Sequence, residues 1–411
     1  MSRPDTALPR TPPHLMTLVL VTGLAALNLN IFLPALPAIA EHFRADYGLV
    51  QLIVSGYLAA TGILQLFIGP LSDRYGRRPV LLCSLAIFIL ATIFLLISPT
   101  IEMFLAARML QATAVAGLIL PRAMIRDVVD MDEAAARIGY VTMGMAVVPM
   151  LAPALGGFLA GLFGWQATFI FALVYGIAVF ALCHHDVGET NTHRSTNLRQ
   201  QIAAYPELLG SRRFWGYALT STFTAGTFYS FLGGAPYAAS TVLGLQPQAI
   251  GLWFALIALG YILGNFLSGR YARRLGITRI MVLGCFVSII ATLLPLLFYS
   301  AGWISPLAFF GPTFLLGVGN GMTMPGANAG IVSVRPHLAG SASGLGGTMM
   351  IGGGAILASW VGMLLDADSS LLPLLLIMVA TTLFAIAAAH YTGRIERRIA
   401  SGLDTPRGSV Q

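Results

Sequence analysis

Apolar residues run along almost the whole chain in segments of about twenty, separated by short polar gaps. About twenty is the number a helix needs to cross the hydrocarbon of a bilayer. The pattern predicts spans at 16–38, 49–70, 79–98, 102–125, 138–161, 165–183, 214–236, 249–269, 277–299, 304–331, 340–365 and 371–391. These runs are too long for the roughly ten-residue alternating strands of a membrane barrel, so twelve helices are expected. The polar, proline-rich stretch 1–15 reads as a tail before a retained first helix rather than as a cleaved leader. The longest polar connection, 184–213, divides the spans into six and six. An N-terminal bundle over 16–183 and a C-terminal bundle over 214–391 follow, with a second tail at 392–411.

An internal repeat supports that division. Gly69-Pro70-Leu71-Ser72-Asp73-Arg74-Tyr75-Gly76-Arg77-Arg78 closes the second span, and 200 positions later Gly269-Arg270-Tyr271-Ala272-Arg273-Arg274-Leu275-Gly276 closes the eighth. Gly144 and Gly344 keep the same offset. Two pseudo-symmetric six-helix bundles suit rocking about a site near the bilayer midplane.

Composition narrows the function classes. The chain has 411 residues, 57% hydrophobic and 9% charged, with a mean hydropathy of +0.81. A soluble protein carries roughly 25% charged residues, so soluble, disordered and nucleic-acid-binding readings are excluded. The net charge of +7 comes entirely from arginine, because lysine is absent. All arginines except Arg44, Arg108 and Arg122 fall in the tails or the even-numbered loops. Positive residues favour the cytoplasmic side, which predicts both termini there and makes the basic surplus a topology signal. Cys83, Cys183 and Cys285 sit in three different spans without metal-ligand spacing and read as buried small apolar residues. No P-loop, metal cluster or nucleophile–base pair points to an enzyme, a resident cofactor or direct ATP drive. Twelve spans with a repeat also speak against a seven-span receptor.

Three segments carry chemistry. In the turn after the second span, Gly69 and Gly76 permit positive φ and close backbone approach. Asp73 can cap a neighbouring helix, and Arg74, Arg77 and Arg78 lie where Asp127 can pair with them. This turn resembles motif A of the major facilitator superfamily. In the fourth span, Arg108-Met109-Leu110-Gln111 resembles motif B. An arginine at depth is expensive in a bilayer and faces the protein interior or a wet cavity. At about 100° per residue, Arg108, Arg122 and Arg126 should share one helix face. Arg122, about one turn from the end, can also snorkel. In the fifth span, Pro149, Pro153, Gly156 and Gly157 resemble motif C of the drug–proton antiporter branch. The small face of Gly144, Ala152, Gly156 and Ala160 should pack on Gly260, Gly264 and Ser268 of the eighth span and seal the halves together.

Leu33-Pro34-Ala35-Leu36-Pro37, Arg122-Ala123-Met124-Ile125-Arg126-Asp127 and Gly164-Trp165-Gln166-Ala167-Thr168-Phe169 extend the likeness, and the chain is similar to the Bcr/CflA type of bacterial multidrug efflux transporter. That resemblance implies a secondary transporter in the bacterial inner membrane, working as a monomer and exporting small drug-like compounds against proton entry by alternating access. It implies a latch role for Gly69, Asp73, Arg74, Gly76, Arg77, Arg78 and Asp127. A metabolite transporter and a uniporter uncoupled from protons are the alternatives. One departure bears on coupling: Asn30 stands where relatives carry a proton-linked Asp in the first span, and Asn does not titrate. The remaining acids gather at span ends (Glu41, Asp46, Asp73, Glu102, Asp127 and Asp366), leaving Asp127 as the gating candidate. A site with Arg108, Arg122 and no midplane acid should prefer neutral or weakly anionic amphipathic compounds over lipophilic cations. Asn28, Asn30, Tyr57, Gln111, Tyr229, Trp253, Asn320 and Asn328 are further candidates for its lining.

Overall fold

A computed structural model describes residues 13–129, 137, 141, 148, 151–191, 205–335, 338–365 and 371–401. Pro149, Gly144, Asp366, Arg194 and Arg199 lie outside these residues, as do 1–12 of the first tail and 402–411 of the second.

Among the described residues nine helices are long and apolar enough to cross a membrane. They are α1 (Leu15–Phe43), α2 (Tyr47–Tyr75), α3 (Arg77–Leu96), α4 (Ile101–Val128), α6 (Gln166–Asp186), α8 (Pro247–Leu275), α9 (Ile277–Ser300), α11 (Ala339–Leu364) and α12 (Leu372–Ala400). Three more helices complete the twelve expected segments: α5 (Leu151–Phe163), α7 (Arg212–Tyr237) and α10 (Thr313–Ser333). α7 owes its lower hydropathy to hydroxyl residues that turn inward. Thr220 donates to the Gly216 carbonyl at 2.7 Å, and Thr227 meets Thr381 of α12 at 2.9 Å.

Local chemistry sets the ends of these helices. Thr100 caps α4 by accepting from Met103 N–H, and Ser211 caps α7 by accepting from Phe214 N–H. The 200-residue repeat is visible in the backbone. Gly76 and Gly276 each separate two helices with positive φ, +107° and +85°, a conformation that favours glycine. α1 is broken at Ile31–Ala35, where Pro34 supplies no backbone donor, and restarts at Leu36.

The ends at which the arginines gather differ in packing from the opposite ends. At the arginine-poor end one hydrophobic cluster joins both halves of the chain. Phe32, Ile39, Val50 and Phe169 from the first half pack in the same cluster as Phe231, Phe254, Phe310 and Leu374 from the second. At the arginine-rich end each half has its own cluster, around Leu24, Phe88 and Met124 in the first and around Phe214, Met281 and Ile331 in the second. The α2–α11 contact follows the same rule. Gly48 approaches the Gly362 carbonyl, Thr348 donates to the Gly62 carbonyl at 3.3 Å, and Gln65 lies beside Gly347. One turn further toward the arginine-rich end, a Cβ added at Gly69 or Gly344 would meet nothing within 4 Å.

The small-residue seal between halves exists, but with other partners than its spacing suggests. Gly260 and Gly264 of α8 press on the Phe314 and Val318 carbonyls of α10, which answers with Gly317 and Gly321. Gly156 of α5 faces α1 at Ile31. The neighbouring Gly157 and Gly161 make the contact to α8, at Pro247 and Gln248, and Gly251 of α8 approaches the Pro153 carbonyl. Spacing by four identifies a close-packing face and not the helix it meets. Cys183 and Cys285 are buried as expected. Cys83 is exposed, because it shares the outer face of α3 with Leu90 and Phe94.

Candidate functional site

Arg108 is completely buried, seven residues into α4 and so about 10 Å from that helix's arginine-poor end. Its guanidinium lies between two aromatic faces, 4.2 Å from the Phe32 ring centre and 4.0 Å from that of Tyr57. Around its edge it donates to neutral oxygens. Nη1 reaches Asn28 Oδ1 at 3.1 Å and Gln111 Oε1 at 2.7 Å; Nη2 reaches the Asn28 carbonyl at 2.8 Å; Nε reaches the Ile53 carbonyl at 3.4 Å. The break within α1 frees the Asn28 carbonyl for this bond and turns the negative end of the Leu15–Asn30 segment's dipole toward the cation. None of these partners is a carboxylate, and the described acids lie near span ends or in the connection between the halves.

The cluster extends on both sides. Asn28 donates to the Tyr57 hydroxyl at 3.2 Å, while Gln111 donates to Thr92, which donates to the Phe88 carbonyl. Arg108 therefore ties α1, α2 and α4 together, and through Gln111 also α3. Planar stacking with fork-like donation uses properties that lysine lacks.

The candidates divide into those this cluster gathers and those it does not. Asn28, Tyr57, Arg108 and Gln111 form it. Tyr229 of α7 lies within electrostatic reach of Tyr57, and of Tyr261 on α8. Sequence reasoning missed Tyr261, whose signal was a lone hydroxyl in an apolar run. Asn30 is buried but turns back on α1, donating to the Ala26 carbonyl at 3.2 Å. Trp253 stacks on Phe310 in the aromatic group at the arginine-poor end. Asn320 is buried, with an amide oxygen that has no hydrogen-bond partner among the described residues, whereas Asn328 is exposed.

Arg122 does not share a face with Arg108 as a uniform helix would require. Residues 112–115 form a 3₁₀ stretch, which turns the rest of α4 by about 80° relative to an α-helix. Arg108 is buried, Arg122 partly buried and Arg126 exposed as a result.

A second polar cluster closes the arginine-rich end of the first half. Arg77 pairs with Asp73 at 2.5 Å and with Asp127 at 3.1 Å. Arg78 instead donates to the His184 carbonyl, and Arg74 is exposed beside Tyr75, so Arg77 alone of the three joins Asp127. The chain after α6 folds back over this turn. Glu189 accepts from the first N–H of α3, that of Arg77, at 2.9 Å; Asn191 donates to the Asp73 carbonyl; Thr190 donates to Asp127. Glu189 thus caps α3, the task assigned to Asp73 from sequence, and its carboxylate occupies the space a side chain at Gly76 would need. In the second half, where the repeat lacks the acid, Glu396 of α12 pairs with Arg213 at 2.5 Å and accepts from Tyr217 at 2.9 Å.

The family model described as the Major Facilitator Superfamily matches residues 18–359. Multidrug resistance protein D of Escherichia coli (strain K12) is 29% identical, over 89% of this chain and 92% of that protein. A chloramphenicol resistance protein of Pseudomonas aeruginosa is 29% identical, over 82% of this chain and 81% of its own length. A crystal structure of a bacterial homolog to the human lysosomal transporter Spinster aligns with a TM-score of 0.73 at 19% identity, covering 95% of this chain and 98% of that one.

Proposed function

The chain belongs to the Major Facilitator Superfamily, and from that premise we propose that it exports small amphipathic drug-like compounds across the bacterial inner membrane by alternating access, driven by proton entry. The observation that carries this reading is the asymmetry of the core: one cluster shared by both halves at the arginine-poor end, and two separate clusters at the other. With the arginines cytoplasmic, this is a state closed to the outside. Bundles 16–183 and 214–391, joined by 184–213, rock about the tyrosine–arginine centre, and the chain works as a monomer that needs no resident cofactor.

The centre favours a particular substrate class. Tyr57, Tyr229 and Tyr261 offer aromatic faces and hydroxyls, and Arg108, whose hydrogen-bond partners are neutral, supplies a positive charge behind Tyr57. Neutral and weakly anionic compounds of the phenicol type fit this environment, in keeping with the chloramphenicol resistance named for one relative. Expression in an efflux-deficient host should raise phenicol resistance at least about fourfold and leave quaternary ammonium dyes unchanged. Resistance confined to the dyes would overturn this assignment.

Proton coupling is assigned to Asp127, since Asn30 cannot titrate and Asp127 holds both Arg77 and Thr190. Protonating it weakens the Arg77 pair and loosens the cytoplasmic latch. In proteoliposomes, phenicol movement should follow an imposed pH gradient. Asp127→Asn should retain downhill movement while losing that response by about tenfold, the equivalent of about 1.4 kcal/mol of coupling. A variant that still follows the gradient would remove Asp127 as carrier, and a wild type indifferent to it would leave a uniporter.

A further inference from the structure

Gln51 of α2 lies in the interface between the halves at the arginine-poor end and is 1% exposed. Its side chain crosses into the second half between two glycines, Gly233 of α7 and Gly362 of α11. A Cβ on either would overlap it. Its Nε2 reaches the Ala358 carbonyl of α11 at 3.5 Å, and its Oε1 is buried with no partner among the described residues. On the other seam the arrangement is answered in reverse. Gln248 of α8 lies over Gly161 of α5, so that a Cβ there would overlap its amide.

We propose that Gln51 is the bolt of the outer gate, seated in a two-glycine slot that only the closed state assembles, and that its uncompensated amide oxygen keeps that closure weak enough to reopen. The glycines make the slot deep enough for a glutamine. The long bond to the Ala358 carbonyl and the unpaired acceptor then set a cost of closing, because an open gate returns both groups to water. An apolar side chain of similar size removes that cost and should hold the gate shut. A methyl group in the slot should hold it open. Gln51 acts through the position of the helices, so it is a positioning residue. The inference rests on the alternating-access reading but not on the identity of the substrate.

The test uses the full-length protein in intact cells, with Cys83→Ala, Cys183→Ala and Cys285→Ala removing the native thiols. Ser55→Cys, one turn from Gln51 on the same face of α2 and itself buried, reports opening by its rate of reaction with a membrane-impermeant maleimide. Gln51→Leu should slow labelling about tenfold and Gly362→Ala should speed it about tenfold. Combining Gly362→Ala with Gln51→Ala empties the slot and should restore a rate within about threefold of the parent. Unchanged labelling in Gln51→Leu overturns the proposal, and that arm decides alone if Gly362→Ala fails to assemble. Faster labelling in the double variant than in Gly362→Ala overturns it as well. Because the readout needs no transported compound, a failed gate and a wrongly assigned substrate give different results.

Discussion

Arg108→Ala should abolish transport, lowering the initial rate by about a hundredfold or more per folded molecule. The substitution removes a cation stacked between Phe32 and Tyr57 and leaves Asn28 Oδ1 and Gln111 Oε1 buried without the donors they now accept from. Each hydrogen bond to a charged group is worth about 1.5–3 kcal/mol, and stranding its partner costs a similar amount. Part of that loss appears as stability and part as disorder where α1, α2 and α4 meet. Arg108→Lys separates charge from shape. Lysine keeps the positive charge but lacks the planar face and the fork of donors, so less than about a tenth of the wild-type rate should survive. The measurement is transport in proteoliposomes, normalised to monodisperse protein on size-exclusion chromatography. Full activity in the lysine variant would show that charge alone suffices, and the stacked geometry would lose its assigned role.

Gly156→Ala should be the most damaging single methyl group in the fifth helix. The added carbon would overlap the Ile31 carbonyl oxygen and lie 2.7 Å from the carbonyl carbon, and both are backbone atoms. A side chain can swing aside; here α5 and α1 must separate. Overpacking of this kind costs about 1–3 kcal/mol and here should reach the upper end. The apparent Tm in detergent should fall by several degrees, with less protein recovered in folded form. Gly344→Ala is the matched control, because a Cβ there meets nothing within 4 Å and alanine favours the helix. It should change Tm little or raise it. Equal behaviour of the two variants would contradict the close α1–α5 approach.

Much of this architecture was legible in the order of residues, for identifiable reasons. Hydrocarbon thickness imposes a length on each apolar run, which is why the twelve segments stand out. Gly76 and Gly276 carry the same positive φ at the same offset, so the repeat in sequence is a repeat in backbone. Arg108 was recognisable because an arginine in an apolar span has few affordable environments. Choices among neighbours were not legible. The glycines of α5 and α8 announced close approach, but only the assembled helices decide that Gly264 meets α10 and Gly157 meets α8. Trp253 was drawn into an aromatic group rather than the centre, since a large ring packs wherever rings gather. The 3₁₀ stretch at 112–115 shifted Arg122 without any proline or glycine inside it to mark the change. Glu189 gave the weakest signal, one acid in a polar linker, yet it caps a helix more than a hundred positions away.

The neutral surroundings of Arg108 have an electrical consequence. A cation held by amide and carbonyl oxygens has no paired carboxylate to cancel its field, so the centre of the transporter carries net charge even when empty. A full elementary charge crossing 100 mV exchanges about 2.3 kcal/mol with the membrane potential, and a partial displacement exchanges a proportionate share. If the rocking of the halves changes the depth of Arg108, the empty carrier itself moves charge. Voltage then biases which side the protein faces, before any proton or drug is bound.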